Sequence, residues 1–395
     1  MTRACLPNYE PKSINTFDLP SGSCFFVTDK TILGRFWGGT RIAHDLTLDE
    51  IKILARSMTV KSILAGIPIG GAKVGVRVNQ GYDKAVLINS LSKVLGTAIR
   101  NGTHFLGTDI GFTENDANKL YELIGTKRKI FSGRISVGDS CASGVQSCIE
   151  YFSNDIPSLK GGTVSIEGFG KLGSATAKLL SSKGFKIVAV SNIDGTVYDP
   201  SGLDIDEMLA LSGQDPKKMF QSYLHGHRNA ELYPKEKINL IQCDILIPGA
   251  RIFSIDTSEA EKIKAKIVCP LSNAPVTLGG EQVLSKRGII SVPDVISNSG
   301  GVIGSVVQHL GACHVENLIS KIIQKNLGLV YDNLEEGKIP KQVASGMALK
   351  RLEDLEGHQI TGSMKLVLSW VKLIGPGALL KAMQEYLSLK ANENN

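Results

Sequence analysis

At 395 residues the chain exceeds the size at which one hydrophobic core keeps growing, so two domains are expected. Its 44 basic and 38 acidic residues leave +6 at pH 7, but no dense Lys/Arg block appears, which argues against a nucleic-acid face and suits small anionic ligands. No leader-like N-terminus or apolar run of membrane-spanning length is visible, and the seven cysteines (5, 24, 141, 148, 243, 269 and 313) are scattered without metal spacing. That pattern reads as a cytoplasmic protein with reduced thiols, no metal site and no membrane partner.

In chain order, residues 24–33 read as a strand. Thr47-Leu-Asp-Glu50 has the form of a capping box, and Ile51, Leu54, Ala55 and Met58 follow at helical spacing. A second polar start, Thr113-Glu-Asn-Asp116, opens a helix with Ala117, Leu120, Tyr121 and Ile124 on one face. A helix beginning near Ala142 leads to the turn Lys160-Gly161-Gly162. Beyond it the pattern is α/β, with short buried strands at 245–247, 267–269 and 289–292, each running into a proline that stops it. Ser297-Asn-Ser-Gly-Gly301 is another tight turn before a helix, and Ile319, Ile322, Ile323 and Leu327 carry a helical period. The expected fold class is therefore α/β: an N-terminal α/β domain over 1–145, a Rossmann-type domain over 146–324, and helices in 325–395 that return to the first.

The segment 164–195, VSIEGFGKLGSATAKLLSSKGFKIVAVSNIDG, is a strand, glycine turn, helix and strand in one run. Gly168, Gly170 and Gly173 form G-x-G-x-x-G, so Gly168, Phe169, Gly170, Lys171, Leu172 and Gly173 are the candidates to cradle a dinucleotide pyrophosphate at a helix N-terminus. An ordinary βαβ turn is the competing reading. The second strand ends in Ser191-Asn192, which makes Asn192 a cofactor-binding candidate at the place where an acidic residue usually meets the ribose, with Asp194 two residues on, and no Arg or Lys falls between 187 and 216 to meet a 2′-phosphate. NAD is favoured on that ground, with NADP left open.

Upstream, Lys61 follows Leu54 by seven residues and Met58 by three, so it falls on the buried face of its helix. An ammonium there calls for an anion, unless it snorkels from a helix end. Lys73 stands in Gly70-Gly-Ala-Lys-Val-Gly75, where small neighbours allow close ligand approach and desolvation lowers a lysine pKa toward useful acid–base range. Asp109 lies in Gly107-Thr-Asp-Ile-Gly111, a setting that alone also suits a turn-forming aspartate.

Gly38-Gly-Thr-Arg41, Met58-Thr-Val-Lys61, Gly70-Gly-Ala-Lys73, Gly107-Thr-Asp-Ile-Gly111 and the glycine loop, in this order and spacing, resemble the glutamate, leucine, phenylalanine and valine dehydrogenase family over roughly residues 24–310. The resemblance implies a substrate and oligomerisation domain, a Rossmann domain, a cleft between them, and a homo-oligomer. It implies that Lys61 binds the substrate α-carboxylate, that Lys73 is the catalytic lysine working with a water, and that Asp109 moves protons at the substrate nitrogen. Asn273 and Asn298 match positions near the nicotinamide, while Trp37, Gly38, Gly39, Gly107, Val302 and Ser305 match positions around the substrate.

Departures from the family pattern bear on specificity. Glutamate dehydrogenases carry a lysine before Gly-Gly-x-Arg to grip the side-chain carboxylate, and here that residue is Trp37. Gly107 leaves room beside Asp109, although Trp37 itself can consume that space, and Ser305 is the polar choice of the glutamate branch. Asp139-Ser-Cys141-Ala-Ser-Gly144 replaces a threonine-containing turn, and Pro270-Leu-Ser-Asn-Ala-Pro275 replaces E-G-A-N-G-P. The resulting expectation is a large apolar L-amino acid of leucine, phenylalanine or tryptophan type, closer to the leucine/phenylalanine branch. The alternatives are a glutamate dehydrogenase or a non-catalytic nucleotide-binding member. A hydroxy-acid dehydrogenase lacks an obvious His/Asp pair, and the seven isolated histidines receive no role.

Overall fold

A computed structural model describes residues 10–30, 35–67, 69–126, 134–309 and 312–356. Over those residues the chain forms two compact units, one from Met1–Ser132 with Met347–Asn395 and the other from Gly133–Gly346. The boundaries differ from the expected 145 and 324.

In the first unit the elements are β1 (Ser13–Leu19), β2 (Gly22–Thr28), β3 (Phe36–Ala43), α1 (Leu48–Leu64), β4 (Gly70–Val78), α2 (Lys84–Arg100), β5 (His104–Gly107) and α3 (Glu114–Ile124). The described strands form a five-stranded sheet in the order β1-β2-β4-β3-β5. The strand expected over 24–33 ends at Thr28, and 31–34 lie outside the described residues. Alternation along β4 sorts its two faces. Val74, Val76 and Val78 join Leu87, Leu91, Leu95 and Ile99 of α2 and Leu120 and Ile124 of α3 in one core cluster. Gly71, Lys73 and Gly75 point the other way, toward α1. A Cβ on Gly71 would stand 2.0 Å from Ala55 O, and one on Gly75 would stand 2.4 Å from the Ile51 side chain. Glycines thus let α1 lie directly on the sheet, and the Thr59 hydroxyl accepts from Gly71 N at 2.9 Å to hold it there.

The second unit contains α4 (Val137–Phe152), β6 (Thr163–Glu167), α5 (Lys171–Ser182), β7 (Lys186–Ser191), β8 (Thr196–Tyr198), α6 (Ile205–Leu211), α7 (Pro216–Gly226), β9 (Glu231–Tyr233), β10 (Ile245–Pro248), α8 (Thr257–Ala260), β11 (Ile267–Val268), α9 (Leu278–Lys286), β12 (Ile290–Ser291), α10 (Asp294–Ser297), α11 (Gly300–His309), α12 (Val315–Asp332) and the start of α13 (Pro340–Glu356). Its described strands form a seven-stranded sheet, order β12-β11-β10-β6-β7-β8-β9, parallel from β12 to β7 with β8 and β9 antiparallel at one edge. From β6 the chain winds one way to β7 and later the other way through β10, β11 and β12. The β6/β10 boundary is therefore the switch point at which doubly wound sheets bind ligands, beyond the carboxyl ends of the strands.

Helix α4 starts at Val137, capped by Ser136, whose hydroxyl accepts from Asp139 N at 3.0 Å. The run Asp139–Gly144 is consequently the helix's first turns rather than a turn before it, a correction to the sequence reading. Gly144 and Gly300 explain its place in this unit: a Cβ on Gly144 would meet Ser297 O at 2.6 Å, and one on Gly300 would meet Ser140 O at 2.0 Å. Small residues pack α4 against α10 and α11, which moves the boundary upstream of 145.

Candidate functional site

The first unit gathers four ionisable side chains beside its sheet. Trp37 and Arg41 on β3 pair in register with Gly71 and Gly75 of β4, Gly39 and Lys73 lie between those pairs, and all share the α1 face. Gly39 also pairs with Gly107 of β5, two residues before Asp109. A Cβ on Gly39 would sit 2.7 Å from Thr108 O and 3.1 Å from Asp109 Cβ, so the glycine keeps open the path by which Lys73 Nζ donates to Asp109 Oδ2. Arg41 donates from Nε and Nη2 to the two Asp109 oxygens, each at 3.3 Å, and from Nη1 to Glu50 Oε1 at 2.5 Å. Ile110 N donates to Asp109 Oδ1 at 2.7 Å.

The charges explain one another. Lys73 is 4 % exposed, and burial pushes its ammonium pKa below the usual lysine range against the pull of Asp109. Burial opposes ionisation of Asp109 too, yet Lys73 and Arg41 hold its carboxyl down to about 2. Asp109 is thus an ionised acceptor beside a lysine whose pKa burial lowers. Arg41 and Glu50 are site residues that the sequence reading passes over as a motif arginine and a cap glutamate. Thr47 Oγ1 does accept from Glu50 N at 3.2 Å, but the Glu50 carboxylate turns to Arg41. The signal available is Arg41 itself, a guanidinium on a strand otherwise facing the interior.

Gly38 and Gly39 have packing reasons to be glycine, since a Cβ on Gly38 would overlap Ala72 O at 1.6 Å. At Gly107 a Cβ would touch Trp37 Nε1 at 3.5 Å, so the indole already borders the space that the missing side chain leaves. Lys61 lies in the last turn of α1 and is 4 % exposed, as its helical spacing implied.

In the second unit the glycine turn divides its duties. Gly168 has φ +90, Gly173 would put a Cβ 1.8 Å from Gly168 O, and Gly170 has open space where its Cβ would be. Bend and helix–strand packing each use one glycine, the third leaves open space at the head of α5, and Gly170 N-caps that helix without a side-chain partner. Phe169 is buried, and its N donates to Ser191 O at 2.6 Å. Lys171 and Leu172 form the first turn of α5.

Asn192 differs from expectation. Its Oδ1 accepts from Asp194 N at 2.8 Å and Gly195 N at 3.2 Å, and its Nδ2 donates to Pro216 O at 3.0 Å. The amide is used to close its own turn rather than to face a ribose, because asparagine side chains readily cap adjacent backbone N–H groups. The same bond folds the start of α7 onto the end of β7. Lys217 and Lys218, just beyond the cation-free stretch 187–216, follow directly.

Asn273 and Asn298 meet beyond β11 and β12: Asn298 Nδ2 donates to Ser272 O at 2.6 Å and to Asn273 Oδ1 at 3.2 Å. Asn298 Oδ1 is buried without a hydrogen-bond partner among the described residues. A buried orphan acceptor at the carboxyl ends of parallel strands fits a ligand amide donor. Together with the open space at Gly170, it makes the unit fit to hold a nicotinamide dinucleotide. Val302 is 9 % exposed, while the Ser305 hydroxyl donates back to Gly301 O at 2.7 Å within α11 and keeps its acceptor lone pairs.

Residues 135–354 match the family described as Glutamate/Leucine/Phenylalanine/Valine dehydrogenase, and residues 19–126 match its dimerisation domain. The chain belongs to this family. It is an NAD(P)-dependent amino-acid dehydrogenase. It is 32 % identical over 296 residues to the NADP-specific glutamate dehydrogenase of Saccharolobus shibatae, covering 70 % of this chain and 68 % of that protein. It is 30 % identical over 362 residues to glutamate dehydrogenase A2 of Halobacterium salinarum, with 83 % and 84 % covered. Among solved structures it resembles the hetero-hexameric glutamate dehydrogenase of Thermus thermophilus in its Leu-bound form (TM-score 0.74, 22 % identity, 87 % and 89 % covered). It also resembles the glutamate dehydrogenase of Plasmodium falciparum (TM-score 0.74, 20 % identity, 92 % and 84 % covered). The named relatives are glutamate dehydrogenases, which does not support the expected large apolar substrate or the leucine/phenylalanine branch. Among the described residues no helix is long and apolar enough to cross a membrane.

Proposed function

We propose that the chain catalyses reversible oxidative deamination of an L-α-amino acid, consuming oxidised dinucleotide and water and yielding the 2-oxo acid, ammonia, reduced dinucleotide and a proton. The observation that carries this reading is the buried Lys73–Asp109 pair, held by Arg41, which Glu50 braces in turn. When bound, the nicotinamide supplies the hydride acceptor. Lys61 holds the α-carboxylate. Asp109, kept ionised, takes a proton from the substrate ammonium, so that the nitrogen lone pair assists departure of the Cα hydride. Lys73, whose amine form burial favours, takes a proton from the water that adds to the imine carbon, then as ammonium stabilises the oxygen formed there. Asp109 returns a proton to the leaving nitrogen. Gly168–Gly173 would hold the pyrophosphate, and Asn273 and Asn298 would lie beside the nicotinamide.

For the substrate we propose glutamate, on the names of the relatives at 30–32 % identity. A large apolar amino acid is the second reading, and Trp37 favours it, because an indole supplies no charge for a side-chain carboxylate. For the cofactor both forms are proposed. The NADP-specific relative and the proximity of Lys217 and Lys218 to the end of β7 support NADP alongside NAD. A homo-oligomer built through the first unit is proposed from the dimerisation-domain match and the hexameric neighbour. A panel of glutamate, leucine, phenylalanine and tryptophan, assayed with both NAD and NADP, tests the reading. Glutamate as best substrate sinks the Trp37 argument, an apolar best substrate sinks the glutamate assignment, and no turnover supports a non-catalytic nucleotide-binding protein.

A further inference from the structure

The loop after β11 has a backbone irregularity that the dinucleotide reading does not use. Ala274, next to Asn273, has φ +46, and Phe253 has φ +54; these are the non-glycine residues with left-handed backbone among the described residues. The two brace each other, with Phe253 N donating to Ala274 O at 2.9 Å. Ala274 stands where the glutamate-type pattern has glycine, so the conformation persists although its residue no longer favours it. Something must hold it.

Asp294 is placed to do so. At the head of α10 and 2 % exposed, it accepts from Ala274 N through Oδ2 at 2.9 Å. Its other oxygen meets Lys341 Nζ at 2.8 Å. Lys341 lies in the first turn of α13, where the helix dipole disfavours a cation, and the Asp294 carboxylate offsets that. The chain of contacts is then continuous: Lys341 to Asp294, Asp294 to the Ala274 backbone, and, one residue away, Asn273 to Asn298 and its orphan Oδ1.

We infer that Asp294, backed by Lys341, is a positioning residue that holds the strained Ala274 turn, and through it the Asn273–Asn298 amide pair, in the geometry that receives the nicotinamide. The inference rests on the dinucleotide reading above. It assigns neither Asp294 nor Lys341 a contact with cofactor or substrate.

The test compares two probes on the full-length protein: NADH and NADPH, which carry the nicotinamide, and ADP-ribose with its 2′-phosphorylated form, which do not. Dissociation constants are measured for the parent, Asp294→Asn, Lys341→Met, and Asp294→Asn combined with Ala274→Gly. Asp294→Asn keeps shape, keeps an acceptor for Ala274 N and removes the buried charge, whereas Lys341→Met leaves the buried Asp294 carboxylate without its cation, so thermal melts of every variant are recorded and affinities are compared between folded proteins. The expected result is a roughly tenfold loss of NAD(P)H affinity in both single variants, the scale of one charge-assisted hydrogen bond, with ADP-ribose affinity within about twofold of the parent. Glycine at 274 adopts the left-handed backbone freely, so the double variant regains most of the lost NAD(P)H affinity. Equal weakening of both probes, no weakening of either, or failure of the glycine rescue overturns the positioning role. Because the readout is binding, it separates from the reaction reading. A parent that binds NAD(P)H no better than ADP-ribose overturns the nicotinamide site itself, and a parent that binds it but turns over no amino acid overturns the reaction alone.

Discussion

Replacing Gly39 by alanine tests whether the Lys73–Asp109 contact is the reactive pair. The added Cβ would lie 2.7 Å from Thr108 O and 3.1 Å from Asp109 Cβ, whereas 3.4 Å is the onset of ordinary contact. The obstructing atom is backbone, so it cannot rotate away, and the strand end carrying Asp109 must move by about 0.7 Å. A misplacement near 1 Å costs a reaction of this kind about a hundredfold, so a kcat loss of roughly ten- to a hundredfold is expected. Overpacking adds a stability loss of about 1–3 kcal/mol. Gly107→Ala is the matched comparison: its Cβ would stand 3.4 Å from Gly39 Cα and 3.5 Å from Trp37 Nε1, both ordinary contacts. It is expected to change KM through the narrowed space and to leave kcat within about twofold. Steady-state kinetics of both variants, with unfolding curves to separate misfolded protein, decide the matter. A Gly39→Ala enzyme with parental kcat would refute the assignment of Lys73 and Asp109.

Lys73→Gln is expected to lower kcat by about 10²–10⁴ and to abolish the rise of rate with pH, a limb that in the parent reflects deprotonation of Lys73 below the usual lysine range; a variant that keeps this limb would contradict the role. Glu281 is 2 % exposed, and burial raises its carboxyl pKa from 4.5 to about 7 against the pull of Lys341. The folded state therefore binds more protons than the unfolded between those values, so stability falls as pH rises through this window, by about 3 kcal/mol in all, and levels off above it. Glu281→Gln should remove that slope, read as the difference between the two proteins' denaturant stabilities at pH 4.5 and pH 8. Gly170→Ala is expected to leave stability within about 0.5 kcal/mol and weaken dinucleotide binding, while Gly173→Ala, with a Cβ 1.8 Å from Gly168 O, should destabilise the second unit itself. Equal thermal shifts in the two would contradict the division of duties. Exchanging Lys217 and Lys218 together for glutamate should raise KM for NADP several-fold and leave KM for NAD nearly unchanged; equal effects on both cofactors would place these lysines away from the 2′-phosphate.

Local physics makes much of this legible in one dimension. The unit from Val164 to Ser191 can be read because a period-2 strand, three glycines and a period-3.6 helix are all properties of neighbouring residues. The same is true of the helix opened by Thr113, whose reciprocal cap with Asp116 the structure contains. The start of α4 escapes such a reading because Asp139–Gly144, rich in serine and glycine, has the composition of a turn. Its helical state comes from close packing against Ser297 and Gly300, which no local propensity records. The bonding of Asn192 escapes such a reading for a related reason: whether an amide caps its own turn or faces outward is decided by bond directions, not by residue type.

By itself, the sequence determined the α/β class and the strand–glycine turn–helix unit, since these depend on residue type and short-range spacing, whereas Lys61, Lys73 and Asp109 stood out only through the ordered set of motifs that resembles the family. Only the tertiary structure decided that Arg41 and Glu50 complete the cluster, because strand register brings together residues 36 and 68 positions apart. It alone decided that Trp37 borders the space left by Gly107, that Pro216 folds Lys217 toward the end of β7, and that Asp294 holds Ala274. Charges act through space, and in this fold the distances that set a buried carboxylate near 2 or near 7 are made by packing between elements far apart in the chain.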